Sequence, residues 1–172
     1  MLFCDILLKA GSVIKSTAAG EDGSRTLPVE GDQLPVYAAL LVQVSMPDTA
    51  DYFFRLGPDP LSINTYRARV FVQFGVGGSV AGPGPVLALT EYATGTPAPL
   101  VVHYAFGASG AETRLFINPG AAEPATADAT ITEPASAAPL NLGTVALRQG
   151  NNTSALVLNG LNYSKTLVVT MQ

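Results

Sequence analysis

Residues 35–45 read PVYAALLVQVS and carry the clearest strand pattern in the chain. One set of alternate positions is wholly apolar: Val36, Ala38, Leu40, Val42 and Val44. The other set is mixed: Tyr37, Ala39, Leu41 and Gln43. Successive side chains of a strand point to opposite faces of its sheet. The segment therefore predicts a strand with one core face, as in a stack of two sheets.

Further strand-like segments lie on both sides of this one. They are residues 51–56 (DYFFRL), 66–74 (YRARVFVQF), 86–90, 100–106 (LVVHYAF), 112–118 (ETRLFIN), 127–132, 142–148, 154–158 and 166–170. Turns rich in Gly and Pro separate them, and residues 75–85 (GVGGSVAGPGP) are predicted to form a loop. A strand about every 10 residues predicts an all-β protein, an antiparallel two-sheet jelly-roll sandwich.

The composition excludes several classes of protein. Of the 172 residues, 48% are hydrophobic and 13% are charged, so the chain is long and apolar enough to fold as one domain. A net charge of −4 argues against a basic nucleic-acid-binding surface. One Cys and one His exclude a disulfide framework and a Cys/His metal site. No apolar segment reaches the roughly 18 residues of a membrane span, and residues 1–10 lack the basic segment of a secretory signal.

The order of the segments resembles a known family. The segments are residues 20–22 (GED), 36–45, 51–57 (DYFFRLG), 66–73 (YRARVFVQ), 100–106, 112–119 (ETRLFINP), 123–124 (EP) and 145–150 (VALRQG). Their succession is similar to the concanavalin-like (laminin-G-like) jelly-roll domains of bacterial secreted and cell-surface proteins. The resemblance implies a two-sheet sandwich and an extracellular or cell-surface location. It covers residues 20–163.

The same resemblance predicts the domain organisation. We expect one sandwich domain over residues 20–172 and an N-terminal segment, residues 1–19, that adds a strand. Family members carry a longer N-terminal portion with Trp-containing strands, whereas this chain has no Trp. A partner chain, a second copy or a rearranged first sheet is therefore expected to complete the sandwich, because unpaired sheet edges favour such pairing.

The acidic residues do not predict an enzyme. Glycoside hydrolysis needs two carboxyl groups about 5–9.5 Å apart. Glu21 and Asp22 are adjacent, so on a strand they face opposite ways, and the others are isolated in the sequence (Glu91, Glu112, Glu123, Glu133). The single His103 has no second His and no carboxylate nearby in the sequence, so it is interpreted as a packed or edge histidine. The chain is predicted to be non-catalytic.

Arginines alternate with apolar residues on the predicted strands. The pattern of residues 66–74 predicts that Arg67 and Arg69 point outward together, and Arg55 and Arg148 lie on other strands. A row of arginines on an open sheet face is suited to a carboxylate or a sulfated sugar. The alternative is a solvated strand face with cross-strand ion pairs.

Tyrosine and aspartate supply two further candidates. Tyr92 is predicted to be an exposed aromatic at a loop rim and is a candidate for carbohydrate contact together with Arg67 and Arg69. A calcium ion would need clustered oxygen ligands, for which Asp48, Asp51 and Asp59 are the candidates. Asp residues in the sequence MPDTAD are more typical of a turn, so we expect no cofactor.

Two functions remain open at this point. The first is a non-catalytic adhesion or binding module whose partner is a glycan or a cell-surface or matrix protein. The second is a structural subunit of a particle or filament, such as a capsid, fibre or decoration protein. Low charge is compatible with the second function because repeated side-by-side packing tolerates a weakly charged surface.

Overall fold

The structure is a computed structural model that describes residues 13–16, 21–27, 34–45, 51–61, 67–73, 76–81, 85–88, 92–107, 110–120, 126–133, 142–149 and 155–164. Strands are the only regular elements in these residues. They are β1 (Val13–Ser16), β2 (Glu21–Thr26), β3 (Val36–Ser45), β4 (Asp51–Gly57), β5 (Arg67–Gln73), β6 (Val76–Ala81), β7 (Pro85–Leu87), β8 (Ala98–Ala105), β9 (Glu112–Ile117), β10 (Ala129–Thr132), β11 (Thr144–Gln149) and β12 (Ala155–Ser164).

The strands form two antiparallel sheets. Sheet A has the order β1-β12-β3-β8-β9-β10, and sheet B has the order β2-β11-β4-β5-β6-β7. The chain passes between the sheets repeatedly, so that neighbours in each sheet are often distant in sequence. This arrangement confirms the predicted all-β antiparallel two-sheet sandwich.

The core lies between the two inner faces. On β3 the buried and half-buried positions alternate, with Val36, Ala38, Leu40 and Val42 inside, which confirms the pattern of residues 35–45. The side chains that meet them from the other strands are also largely aliphatic or aromatic, including Phe54, Leu56, Val70, Val102, Tyr104, Leu115, Val145 and Leu147. Each fully buried side chain of this kind contributes about 1.5–3 kcal/mol through the hydrophobic effect.

Strands β4 and β5 pair with a β-bulge. Phe54 lies opposite Val70 and Leu56 lies opposite Arg67, so one residue of β4 faces the two residues Ala68 and Arg69 of β5. Ala68 has a φ of 47°, in the left-handed region where the extra residue of a bulge is often found. The bulge therefore changes the side of the sheet to which β5 side chains point.

The loop predicted over residues 75–85 was wrong in part. Strand β6 lies there and pairs with β5 and β7. Ladder hydrogen bonds satisfy the backbone on both sides, which outweighs the weak strand preference of glycine. The register shift places Gly77 and Gly78 opposite a single β5 residue, and glycine suits such an irregular site.

The remaining strand predictions have mixed outcomes. β10 confirms the short strand predicted within residues 127–132, and β8 and β9 pair as the predicted hairpin. The N-terminal segment supplies β1, which pairs with β12 at the edge of sheet A. The strand predicted over residues 166–170 lies outside the described residues. In the part of the chain that the structure describes, no helix is long and apolar enough to cross a membrane.

Candidate functional site

Three neighbouring strands of sheet B place a group of arginine and aromatic side chains on its outer face. Tyr52 on β4 lies opposite Phe71 on β5, and neither belongs to the core cluster. Arg69 lies two residues before Phe71. Arg148 on β11 follows the core residue Leu147 and so points outward. We call Tyr52, Arg69, Phe71 and Arg148 the arginine–aromatic cluster.

Cation–π contacts hold the cluster together. The Cζ of Arg148 lies 4.8 Å from the centre of the Tyr52 ring, and the Cζ of Arg69 lies 5.8 Å from it. Arg69 also lies 5.4 Å from the centre of the Phe71 ring. The Tyr52 and Phe71 rings are 5.7 Å apart and tilted by 60°. These distances are within the range in which a ring quadrupole attracts a guanidinium.

The two arginines and the phenylalanine of the cluster are more exposed than its tyrosine. Tyr52 is 8% exposed, whereas Arg69, Phe71 and Arg148 are half-buried. Arg148 also donates a hydrogen bond from Nη1 to the Tyr52 hydroxyl. The exposed part of the cluster is therefore formed by Arg69, Phe71 and Arg148 rather than by Tyr52.

Arg67 does not join this cluster. Its register partner Leu56 is a core residue, so the bulge at Ala68 turns Arg67 toward the interior. There its Nε lies 3.0 Å from Oε2 of the buried Glu133, which directly follows β10 of sheet A. The prediction that Arg67 points outward with Arg69 was wrong, because strict alternation fails where a bulge inserts a residue.

Glu133 connects the two sheets. Tyr104 on β8 donates a hydrogen bond of 3.4 Å to Oε2 of Glu133, and the Ala68 backbone amide also donates to this carboxyl group. Burial raises the pKa of Glu133, although the Arg67 charge and these hydrogen bonds act in the opposite direction. Burial and the Glu133 charge also raise the pKa of Tyr104, so Tyr104 keeps its proton at neutral pH.

Tyr92 lies elsewhere, between β7 and β8. It is half-buried, packs against the core and donates a hydrogen bond of 2.9 Å to Oδ1 of Asp128. Oδ2 of Asp128 accepts a hydrogen bond from the Ile117 amide. Tyr92 is therefore less exposed than the sequence predicted, because Asp128 holds it against the ends of β9 and β10. The structure does not bring Tyr92, Arg67 and Arg69 together.

The outer face of sheet A carries a different pair. Tyr37 and His103 are opposite each other on β3 and β8, and their rings stack with centroids 4.4 Å apart and 4° between planes. His103 is 7% exposed, which confirms the interpretation of a packed histidine. Arg114 lies opposite His103 on β9 and forms a 2.6 Å ion pair with Glu112.

Of the three aspartates considered as calcium ligands, only Asp59 has a described side chain. Asp48 lies outside the described residues, and of Asp51 only the backbone, at the start of β4, is described. Asp59 is exposed and lies beside Gly143, where a Cβ would come within 2.6 Å of the Asp59 Cβ. Among the described residues, no group of three or more His, Cys, Asp or Glu side chains is placed to hold a metal ion. The expectation that these residues form a turn and bind no cofactor stays a prediction.

Sequence patterns alone did not identify Tyr52 and Glu133 as members of these sites. Tyr52 is far from Arg148 in the chain, and the two meet only because β11 pairs with β4. Glu133 was described from the sequence as isolated, and no local signal indicates Arg67 as its partner. The alternation of apolar and charged residues around Arg55, Arg69 and Arg148 was the available signal, and it predicted an outward arginine face.

Comparison with known proteins supports the fold. No protein-family model matches the chain, and no curated protein sequence matches it. Among solved structures, a sialidase superposes with a TM-score of 0.62 at 9% identity, over 90% of this chain and 15% of the sialidase chain. The binding domain of a botulinum neurotoxin, in complex with SialylT, gives 0.51 at 8% identity, over 96% of this chain and 44% of that chain.

A plant lectin matches over nearly its whole length. The seed lectin of Lotus tetragonolobus gives a TM-score of 0.50 at 10% identity, over 95% of this chain and 97% of the lectin. This chain thus spans a small part of the sialidase, less than half of the neurotoxin chain and almost all of the lectin. The likeness confirms the fold expected from the sequence: the chain is a concanavalin-like jelly-roll sandwich.

Proposed function

We propose that the chain is a non-catalytic glycan-binding module that works outside the cell or on its surface, with the glycan lying across the arginine–aromatic cluster. The observation that carries the proposal is the placement of Arg69, Phe71 and Arg148 together, half-exposed, on one outer sheet face. Sugar-binding sites combine flat aromatic or planar groups with a few fixed hydrogen-bond donors. The cluster supplies both, and three paired strands hold it in place.

The fold is compatible with this function. The comparison structures include a seed lectin and a toxin binding domain in complex with SialylT. Because one fold hosts many functions, this likeness supports the proposal but does not establish it. The proposal depends on the residues of the arginine–aromatic cluster.

The non-catalytic part of the proposal rests on the acidic residues. Three described carboxylates have structural partners: Glu112 with Arg114, Asp128 with Tyr92, and Glu133 with Arg67. A glycoside hydrolase needs two carboxyl groups that face the same bond of a sugar chain. Carboxylates that hold strands and loops together are less suited to that task.

A glycan array followed by titration calorimetry tests the proposal. We expect binding to at least one oligosaccharide and a loss of about tenfold in affinity for Phe71→Ala, or about 1.4 kcal/mol. Tyr37→Ala is the matched control, because it removes a half-buried aromatic from the outer face of sheet A and should bind like the wild type. An array without hits would overturn the proposal. Cleavage of a bound glycan, detected by mass spectrometry, would overturn its non-catalytic part.

One observation favours the second function, a subunit of a particle or filament. Val86 and Leu87 on the edge strand β7 are 38% and 39% exposed, and exposed apolar residues on a strand edge favour pairing with another chain. Light scattering over a range of protein concentrations tests this candidate. A protein that is monomeric at every concentration would contradict the particle or filament function. If an oligomer forms through β7, the Val86→Lys variant should dissociate it.

A further inference from the structure

We propose that the arginine–aromatic cluster selects acidic glycans, and that Arg69 and Arg148 bind the anionic group of the sugar, a carboxylate or a sulfate. This inference rests on the proposed function, since it names the class of glycan that the cluster takes. The residues that carry it are Tyr52, Arg69 and Arg148.

The burial of Tyr52 points to charge rather than stacking as the basis of recognition. A neutral sugar ring packs its apolar C–H face on an exposed aromatic ring. The Tyr52 ring is 8% exposed, and the guanidinium carbons of Arg69 and Arg148 lie within 5.8 Å of its centre. The Tyr52 ring therefore acts as a support for the two arginines, and a ligand on this face contacts the arginines rather than the tyrosine ring.

Contact with the ring also prepares each guanidinium for an anion. A guanidinium is planar, stays charged and carries its N–H donors in the plane, so contact with a ring face leaves donors at its edges. The hydrogen bond from Arg148 to the Tyr52 hydroxyl fixes this side chain further. Because the side chains are already ordered, binding costs less conformational entropy than it would with mobile arginines. The planar fork of Arg69 matches the oxygens of a carboxylate or sulfate, whereas Arg148, whose Nε is buried and whose Nη1 donates to Tyr52, contributes mainly its charge.

The distribution of charge favours the same ligand. The protein has a net charge of −4, yet five of its six arginines lie on the strands of sheet B, which carry three acidic residues: Glu21, Asp22, which is opposite Arg148, and Asp51. Arg55 lies between the inward-pointing Phe54 and Leu56, so it belongs to the outer face of β4, where it is 4% exposed and adds a further positive charge to this side of sheet B. A cationic face on an acidic protein attracts anions locally and depends on ionic strength.

The test uses the full chain and three defined hexasaccharides. These are a heparin-derived sulfated hexamer, an oligogalacturonate hexamer that carries carboxylates, and neutral cellohexaose. We expect at least one acidic hexamer to bind at least about tenfold more tightly than cellohexaose, with affinity falling as salt rises. The preference between the sulfated and the carboxylated hexamer identifies the anion.

Variants locate the binding. Arg69→Gln and Arg148→Gln should each weaken acidic binding by about tenfold or more, because each removes a charged partner. Arg69→Lys keeps the charge but not the planar fork and should also weaken it. Arg114→Gln is the matched control, because it makes the same charge change on sheet A and should stay within about twofold. Thermal melts establish that each variant is folded. If Arg148→Gln does not fold, the two Arg69 variants still test the inference.

The outcomes separate the two proposals. If cellohexaose binds as tightly as the acidic hexamers and Arg69→Gln has no effect, the chain binds glycans but this inference is wrong. If Arg114→Gln weakens acidic binding as much as Arg69→Gln does, the anion is not bound at the cluster and the inference is also wrong. If no glycan on the array binds, the proposed function itself fails.

Discussion

Arg67 and Arg69 lie two positions apart on β5, yet their side chains contact opposite sides of sheet B. Arg67 forms a buried ion pair with Glu133 in the interior, while Arg69 lies over the Tyr52 and Phe71 rings on the outer face. Ala68 stands between them with a φ of 47°. The bulge thus places one of two similar residues between the sheets and the other on the outer face of sheet B.

Removal of Arg67 should destabilise the sandwich strongly. Arg67→Met leaves Glu133 buried without its cation, and breaking a buried pair in this way costs about 3–5 kcal/mol. Arg114→Met breaks the half-exposed pair with Glu112 and should cost less than about 1 kcal/mol. Urea unfolding measures both, and the double variant Arg67→Met/Glu133→Leu should recover most of the loss. Equal losses for Arg67→Met and Arg114→Met would contradict the buried pair.

The raised pKa of Glu133 predicts a pH dependence of stability. A carboxyl group with a higher pKa in the folded than in the unfolded state binds more protons when folded, so its contribution falls as pH rises between the two values. The free energy of unfolding of the wild type, relative to Glu133→Gln, should therefore fall as pH rises from the acidic range to neutrality. Chemical denaturation at a series of pH values gives this difference. A difference that grows with pH would show that the pKa of Glu133 is lowered instead.

Ala68→Gly should be nearly neutral for stability. A left-handed φ costs a non-glycine residue about 1–2 kcal/mol, and glycine removes this strain. The gain offsets the loss of a buried methyl group, which is worth about 0.8 kcal/mol. Ala38→Gly on β3 is the control: it loses a methyl group in the same core without relief of strain and should cost more than about 1 kcal/mol. The prediction fails if unfolding experiments give the two variants the same loss.

Gly160 on β12 should resist replacement although it has open space around it. The register shift between Asn159 and Asn162 forms another bulge, and Gly160 has a φ of 63° with no atom within 4 Å of the position that a Cβ would take. Gly160→Ala should cost about 1–2 kcal/mol through backbone strain alone. Gly23→Ala on β2, where the space is also open and φ is not in the left-handed region, should be neutral or slightly stabilising. Similar melting temperatures for the two variants would argue against the bulge.

The sequence predicted part of the candidate site. Alternation around Arg69 identified an outward arginine on β5, and the structure adds Arg148 from the neighbouring β11–β4 pairing. The same alternation misplaced Arg67, because a bulge is set by cross-strand register and not by residue type. Tyr92 was predicted to be exposed, but Asp128, distant in the chain, draws it inward.

The sequence by itself determined the all-β class, the two-faced pattern of β3 and the non-basic, weakly charged composition. These properties follow from local alternation and residue counts, which need no knowledge of partners. Tertiary structure alone decided that Glu133 pairs with Arg67, that Tyr52 lies beneath Arg69 and Arg148, and that glycine-rich β6 joins sheet B. Those contacts depend on strand order and register, which long-range backbone pairing fixes and which no short segment encodes.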